Sequence, residues 1–472
     1  MFTNYYTNVR NVVDIYPSVI LSRDYFDDNG YKTLFKMRYY DENKKEHYIG
    51  EIKVLHETDT TTYSKAPKKF NKLPESYCSL GQSISYYKNL LEFGENIALE
   101  ILKGLRDVSI DDDIYREFID NEGFNDSLIR FSEAEKALKE ASLLFEKIEI
   151  QNNFVFSFSY KLENANEPHV INFNFSKDEI LPSRINALVG KNGTGKTQIL
   201  AKIAAIASGY EKSRKNSFSP ERPPFSKIIA ISYSVFDDFD RPKESDKTFS
   251  YKYCGIRDSK NRVFTSKEIK ERIQKNINTI IKMKRKSILI EVFKEIFEHK
   301  NLKELDKFLI DDFQLSSGQN ILLMTLTDIL VTIEEESLLL FDEPENHLHP
   351  NAISNLINMI NKILTEFNSY AIISTHSPII VQEIPSKFIN VIERIDNIPL
   401  VRNLHIESFG ENLSDITEEV FDVKSTPSNY KEILNELREN FTYGEIINLF
   451  GGKLSFNARI YLKSMYQGSD EE

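Results

Sequence analysis

The sequence predicts an α/β protein with a mixed, mostly parallel sheet, an α+β region before it and a helical region after it. Three observations predict this. Short apolar runs alternate with helical patterns from about residue 150 to residue 400, as in a parallel sheet covered on both faces. One of those runs, Ile185-Asn186-Ala187-Leu188-Val189, ends in a glycine-rich loop that opens a helix. Residues 1–148 begin with alternating runs separated by turn residues, whereas the stretch after residue 400 is mostly helical in period.

Composition sets outer limits. A chain of 472 residues, 40% hydrophobic, has the mass for several domains and a large core. Its 72 acidic and 60 basic residues leave a net charge of −12, which disfavours non-specific coating of DNA but leaves room for a local basic groove. Cys78 and Cys254 form no CxxC pair, which excludes a disulfide scaffold and a cysteine zinc finger. No apolar run has the length of a membrane span, and residues 1–10 lack a signal-peptide core, so the expectation is a cytoplasmic protein with no membrane contact.

Taken in order, residues 12–21, 31–40 and 46–55 read as strands. Asp28-Asn29-Gly30 and Asp41-Glu42-Asn43 separate them with turn chemistry, which makes a small antiparallel meander. Ser132-Glu133-Ala134-Glu135 has the spacing of a capping box at the head of a helix running towards residue 148. Strands return at 154–162 and 170–175. The run 185–189 leads to a helix over 197–207 that Gly209 ends. Further apolar strands are expected at 227–233, 337–341 and 370–374, with a lysine-rich helical stretch from 266 to 310. Three amphipathic helical patterns fill 428–466. The expected division is 1–148, 149–254, 255–310, 311–400 and 401–472.

The residues that carry chemistry begin with Gly190-Lys191-Asn192-Gly193-Thr194-Gly195-Lys196-Thr197, a P-loop pattern between a strand and a helix. Gly190, Gly193 and Gly195 let backbone N–H groups, Asn192 among them, curl around phosphates. Lys196 offers a point charge to the β- and γ-phosphates of ATP, and the Thr197 hydroxyl is a ligand for Mg²⁺. The strand 338–341 ends in Asp342 and Glu343: Asp342 is placed to hold Mg²⁺, and Glu343 to polarise an attacking water. His376 follows the strand 370–374 in Ser374-Thr375-His376-Ser377-Pro378.

With Leu315-Ser316-Ser317-Gly318-Gln319 upstream of Asp342, this order of motifs resembles the ABC-type ATPases. The resemblance covers about residues 150–400. It implies ATP and Mg²⁺ as ligands and head-to-tail dimers. Ser316, Ser317, Gly318 and Gln319 would face the γ-phosphate held by the other subunit, and His376 would be the switch residue at that phosphate. The variants Asn192-Gly193, Asp342-Glu343-Pro344-Glu345-Asn346-His347-Leu348-His349-Pro350 and Thr375-His376-Ser377-Pro378 are similar to the soluble branch with RecF, SMC and overcoming-lysogenization-defect ATPases, not to transporters. Size and the segment 408–412 are similar to ATPases of bacterial anti-phage operons of the Septu and PARIS kinds. In the family, His347 and His349 would lie in a loop that crosses the dimer interface.

The chain departs from the family where a Gln normally follows the second strand. Here stand Ser232, Ser234 and Asp237, any of which is a substitute. The insert at 255–310 is too short for an SMC coiled coil. A nuclease is not expected in this chain: no Asp-x-Asp in a strand context follows His376, and Glu51-Ile52-Lys53 reads as part of the third meander strand. Ser79-Leu80-Gly81-Gln82 resembles a signature but reads as a turn before a helix. Lys282, Lys284, Arg285 and Lys286 read first as a solvated helix face, with a nucleic-acid contact as the alternative. The expected function is an ATP-hydrolysing switch that controls a partner effector, a separately encoded nuclease, in anti-phage defence. A RecF-like repair ATPase and a non-hydrolysing ATP-bound scaffold remain the rivals.

Overall fold

The computed structural model describes residues 4–7, 15–148, 154–176, 180–211, 217–234, 239, 250–296, 317–346, 348, 350–421 and 429–467. The chain divides into two compact units, Met1–Glu411 and Asn412–Glu472.

The first unit opens on a six-stranded sheet. Its strands are β1 (Asn4–Thr7), β2 (Ser18–Arg23), β3 (Leu34–Tyr40), β4 (Glu46–His56), β5 (Lys69–Phe70) and β6 (Tyr77–Gly81), in the spatial order β5-β1-β2-β3-β4-β6. The expected meander is its centre, with β2, β3 and β4 antiparallel. Ser79-Leu80-Gly81-Gln82 corrects one expectation. Most of it is strand β6, paired in register with β4, and the helix Ile84–Leu91 begins two residues after Gln82. Lys53 is fully buried and donates to Asp28 Oδ2 at 2.5 Å and to the Ser127 carbonyl at 2.6 Å. Asp28 also accepts from Arg130 at 2.5 Å, so Lys53 belongs to a buried ionic network of the strand layer.

The helix Ser132–Glu146 forms where expected, but not through a capping box. Phe131 takes the N-cap position without a side-chain hydrogen bond, and Ser132 Oγ is buried without a partner. The acidic residues of its first turn are used across the fold instead. Glu133 accepts from Lys227 at 2.6 Å, and Glu135 accepts from Arg222 Nε at 2.9 Å. Lys136 pairs with both Glu140 and Glu336. The pairs to Lys227, Arg222 and Glu336 fasten the N-terminal region to the second part of the unit, and tertiary pairing outweighs local capping.

That second part contains β7 (Phe154–Tyr160), β8 (His169–Phe175), β9 (Ile185–Val189), β10 (Phe218–Ser219), β11 (Ile228–Ser232), β12 (Tyr251–Tyr253), β13 (Leu338–Asp342), β14 (Tyr370–Thr375), β15 (Ile389–Ile395) and β16 (Ile398–Arg402). The first two and β10 form a three-stranded antiparallel sheet. The others form a seven-stranded sheet in the order β12-β11-β13-β14-β9-β15-β16, parallel except for the β15–β16 hairpin. The hairpin closes one edge and was not expected from the sequence. The mixed, mostly parallel sheet of the α/β class is therefore present.

Every residue of β9, β11, β13 and β14 is buried. This is why these strands read as continuous apolar runs, whereas β7 and β8 alternate. Between the two sheets lies a core of Phe154, Phe156, Phe158, Ile171, Phe173, Ile199, Ile203, Leu338, Leu340 and Ile372. Each such side chain contributes about 1.5–3 kcal/mol on burial. The helix Lys196–Ser208 runs through this core, buried along most of its length, and ends at Gly209 with φ +79° as predicted. A Cβ on Gly209 would lie 2.1 Å from the Arg130 carbonyl oxygen.

Of the helical stretch expected over 266–310, Ser266–Lys282 and Lys286–Ile296 are present, and 297–310 lie outside the described residues. The first is headed by a capping box between Thr265 and Glu268. Lys282, Lys284 and Lys286 are exposed. Arg285 is not part of that surface: it donates to the carbonyls of Leu330 at 2.7 Å and Ile333 at 2.9 Å. Among the described residues, no helix is long and apolar enough to cross a membrane.

Among the described residues, the second unit contains the helices Leu413–Phe421, Asn429–Asn440, Tyr443–Leu449 and Phe456–Gln467. The last three account for the amphipathic patterns and close on Leu434, Ile446, Ala458 and Leu462.

Candidate functional site

Parallel strands deliver their C-terminal ends to one edge of a sheet, and ligands collect there. Between the P-loop strand β9 and the Asp342 strand β13 lies β14, which carries Ser374 and Thr375. Three successive strand ends thus supply the P-loop, the Ser374–His376 segment and the Asp342–Glu345 segment.

The loop after β9 has the backbone its glycines permit. Gly190, Gly193 and Gly195 have φ of +149°, +82° and +94°. A Cβ on Gly190 would sit 2.2 Å from the Ile392 carbonyl oxygen, so only glycine fits there. Asn192 and Gly193 are exposed at the tip. The His169 ring lies against this loop, its Nε2 3.5 Å from where a Cβ on Gly195 would stand, and burial lowers its pKa. Sequence reading missed that contact, since nothing about a lone strand histidine marks it.

Lys196 begins the helix and is buried. Its Nζ donates to the carbonyls of Gly190 at 2.9 Å and Lys191 at 3.1 Å, and desolvation lowers its pKa. An ammonium satisfied by neutral carbonyls in a loop of backbone N–H groups suits an incoming polyanion. Thr197 Oγ1 donates to Asp342 Oδ1 at 3.0 Å, and Ser374 Oγ donates to the same oxygen at 2.5 Å. A hydroxyl and a carboxylate are hard oxygen donors of the kind Mg²⁺ takes with phosphate. The residues present therefore fit a Mg-nucleotide.

Glu343 has φ +47°, a left-handed conformation that a non-glycine residue adopts at a cost. Its N–H donates to the Ser374 carbonyl at 2.9 Å, and its Oε2 accepts from Asn346 at 2.9 Å. His376 Nδ1 lies 3.4 Å from Glu343 Oε1 and 3.5 Å from Glu345 Oε1. At those distances the pair is a charge contact more than a well-formed hydrogen bond. The neighbouring imidazole holds the Glu343 carboxyl down at about 2, and Glu343 in turn raises the His376 pKa.

Lys196, Thr197, Asp342, Glu343 and His376 are thus brought together. Gly318 and Gln319 lie in the first turn of the helix Ser317–Thr332. Ser316 and the Ser317 side chain lie outside the described residues, as do Asp237, His347 and His349. Of the candidates for the absent Gln, Ser232 pairs in register with Asp342, and its hydroxyl accepts from the Ser234 N–H at 3.1 Å. Glu345, Asn346 and Ser374 are site residues that the sequence reading left without roles, although the Asp342–Asn346 motif already contained two of them.

Residues 256–382 match a family model described as "AAA domain, putative AbiEii toxin, Type IV TA system". The match includes Asp342, Glu343 and His376 but not the P-loop. The chain is 29% identical to Protein ea59 of Escherichia phage lambda, over 96% of this chain and 95% of that protein. It is 24% identical to the probable ABC transporter ATP-binding protein p29 of Mesomycoplasma hyorhinis, over 58% of this chain and 96% of that protein. Among solved structures, cbiO1 of Clostridium perfringens, part of the ABC transporter complex cbiONQ, aligns at 16% identity with a TM-score of 0.30, over 64% of this chain and all of that one. The fold assignment rests on the strand order and the P-loop of this chain itself. The chain thus carries a P-loop on a mostly parallel sheet, and it is similar in part to an AAA-domain family model and to an ABC-type ATP-binding protein.

Proposed function

We propose that this chain is an ATP-hydrolysing, ABC-type switch that controls a separately encoded effector, a nuclease, in bacterial anti-phage defence. The observation that carries the ATPase reading is the Thr197–Asp342 hydrogen bond, with Glu343 and His376 at the same sheet edge. Mg-ATP supplies the phosphoanhydride and the cation that spreads its charge. Lys196 exchanges its loop carbonyls for phosphate oxygens. Thr197 and Asp342 hold the cation, Glu343 takes the proton of the attacking water, and His376 donates to the γ-phosphate. Gly190, Asn192, Gly193 and Gly195 form the cradle.

Two subsets of residues meet only when subunits pair head to tail. Ser316, Ser317, Gly318 and Gln319 of one subunit then face the site of the other, with the helix N-terminus directed at the γ-phosphate. The ATPase parts are 149–254 and 311–400 around the insert 255–310, with 1–148 and 401–472 as appendages, at least one of which recruits the effector. The place of action is the cytoplasm. The phage protein ea59 and the toxin–antitoxin description of the matched family support a setting in phage–host conflict.

Steady-state hydrolysis by wild type and Glu343→Gln tests the enzyme reading. Loss of a general base predicts a fall of about 10²-fold or more with ATP binding kept. Equal rates would end the assignment. Pull-down of the tagged protein from its host, with ATP and with ADP, tests the effector reading, and recovery of no stoichiometric partner in either state would reject it.

A further inference from the structure

Glu345 has no role in the hydrolysis scheme above, yet it is 8% exposed and stands three residues beyond Asp342. Its Oε1 accepts from the Thr375 hydroxyl at 2.6 Å and from the backbone N–H of His376 at 2.9 Å, and lies 3.5 Å from His376 Nδ1. Its Oε2 is buried without a hydrogen-bond partner.

We infer that Glu345 is a positioning residue that fixes the backbone of His376 and sets the charge facing its ring. One carboxylate oxygen grips the chain at the end of β14 on both sides of the Thr375–His376 peptide. The same oxygen faces Nδ1, so the ring presents Nε2 on its other edge. The carboxylate therefore stands beside the imidazole with its Oε1 engaged and its Oε2 buried without a partner. The charged groups facing His376 are Glu343 and Glu345 on one loop and Lys196 on the P-loop helix. Both carboxylates favour the imidazolium and Lys196 opposes it. Glu345 therefore holds the His376 backbone in place before any nucleotide arrives and, second to Glu343, favours the protonated ring. Its relevance to turnover rests on the ATPase reading, but its hold on His376 does not.

The test begins on nucleotide-free, full-length protein labelled with ¹³C-histidine. The chain has 8 histidines, so the His376 ring signal is assigned as the one lost in His376→Gln. Glu345→Gln keeps the acceptor and removes the charge, and is expected to lower the His376 pKa by about one unit. Glu345→Asp keeps the charge but withdraws it by a methylene, and is expected to lower the pKa by less. In ATP hydrolysis, Glu345→Gln is expected to lower kcat, leave KM for ATP within about twofold, and move the alkaline limb of the pH profile to lower pH. An unchanged His376 titration in both variants, each folded by circular dichroism, would overturn the inference. So would a fall in melting temperature with the titration unmoved, since that marks a purely structural carboxylate. A wild-type protein that hydrolyses no ATP would sink the ATPase reading and leave the titration to decide on Glu345.

Discussion

Thr197 and Asp342, 145 positions apart, are joined by a hydrogen bond of 3.0 Å from the threonine hydroxyl to the carboxylate. The bond links the start of the P-loop helix to the end of β13, across the strand β14 that separates β9 from β13. Ser374 of that intervening strand donates to the same oxygen. Asp342 is thereby fixed by both neighbours, and its position is a property of the sheet edge.

Lys196→Ala is expected to weaken ATP binding by about 10-fold to 100-fold, the cost of losing one charge-assisted hydrogen bond at about 1.5–3 kcal/mol. Titration with a fluorescent ATP analogue measures it. Because the hydrogen bonds of Lys196 run to carbonyls of its own loop, the melting temperature without nucleotide should change far less than the affinity.

Gly190→Ala is expected to destabilise the first unit by at least about 1–3 kcal/mol, the usual cost of overpacking. Its Cβ would stand 2.2 Å from a backbone carbonyl oxygen of β15, which cannot move without breaking the sheet edge. Thermal unfolding reads this directly. Gly193→Ala is the control: no atom lies within 4 Å of its Cβ, so only the backbone conformation at φ +82° is penalised.

A raised imidazole pKa means that the folded state binds the proton more tightly than the unfolded chain does. The contribution of His376 to stability is therefore whole below pH 6.5 and is lost as pH rises through its raised folded value. The melting temperature of nucleotide-free wild type should exceed that of His376→Gln by most in mildly acidic buffer. The gap should close towards alkaline pH. The effect is small, because the ring is 40% exposed and screened by solvent. A gap that widens with pH would contradict the Glu343–His376 charge contact.

Head-to-tail pairing predicts that Glu343→Gln, which binds but does not hydrolyse ATP, gains subunit contacts when Mg-ATP is added. Light scattering follows the mass. Adding Ser317→Arg to that variant should abolish the ATP-dependent gain, because Ser317 heads the helix aimed at the opposite site in this scheme. An equal response to ATP with and without Ser317→Arg would rule out the trans arrangement.

What the sequence alone determined follows from local chemistry. The P-loop is legible because glycines at fixed spacing, a lysine and a threonine have few other uses together, and because β9 and its helix flank it in the chain. The parallel sheet is legible because strands buried on both faces must be apolar throughout, as Leu338–Phe341 and Tyr370–Ile373 are. Where local signals competed with tertiary ones, the sequence misled. Ser132 and Glu135 have the spacing of a capping box, but Glu135 pairs with Arg222, 87 residues away, and that ion pair prevails. Ser79–Gly81 looks like a turn, yet pairing with β4 makes it strand. The tertiary structure alone decided which carboxylates meet His376. Asp342, Glu343 and Glu345 stand within four residues of one another, and nothing in the sequence says which of them reach the histidine. The left-handed turn at Glu343 sends Glu343 and Glu345 to the histidine while Asp342 turns to Thr197 and Ser374. That sorting depends on strand order, because β14 must lie between β9 and β13 before one segment can touch both.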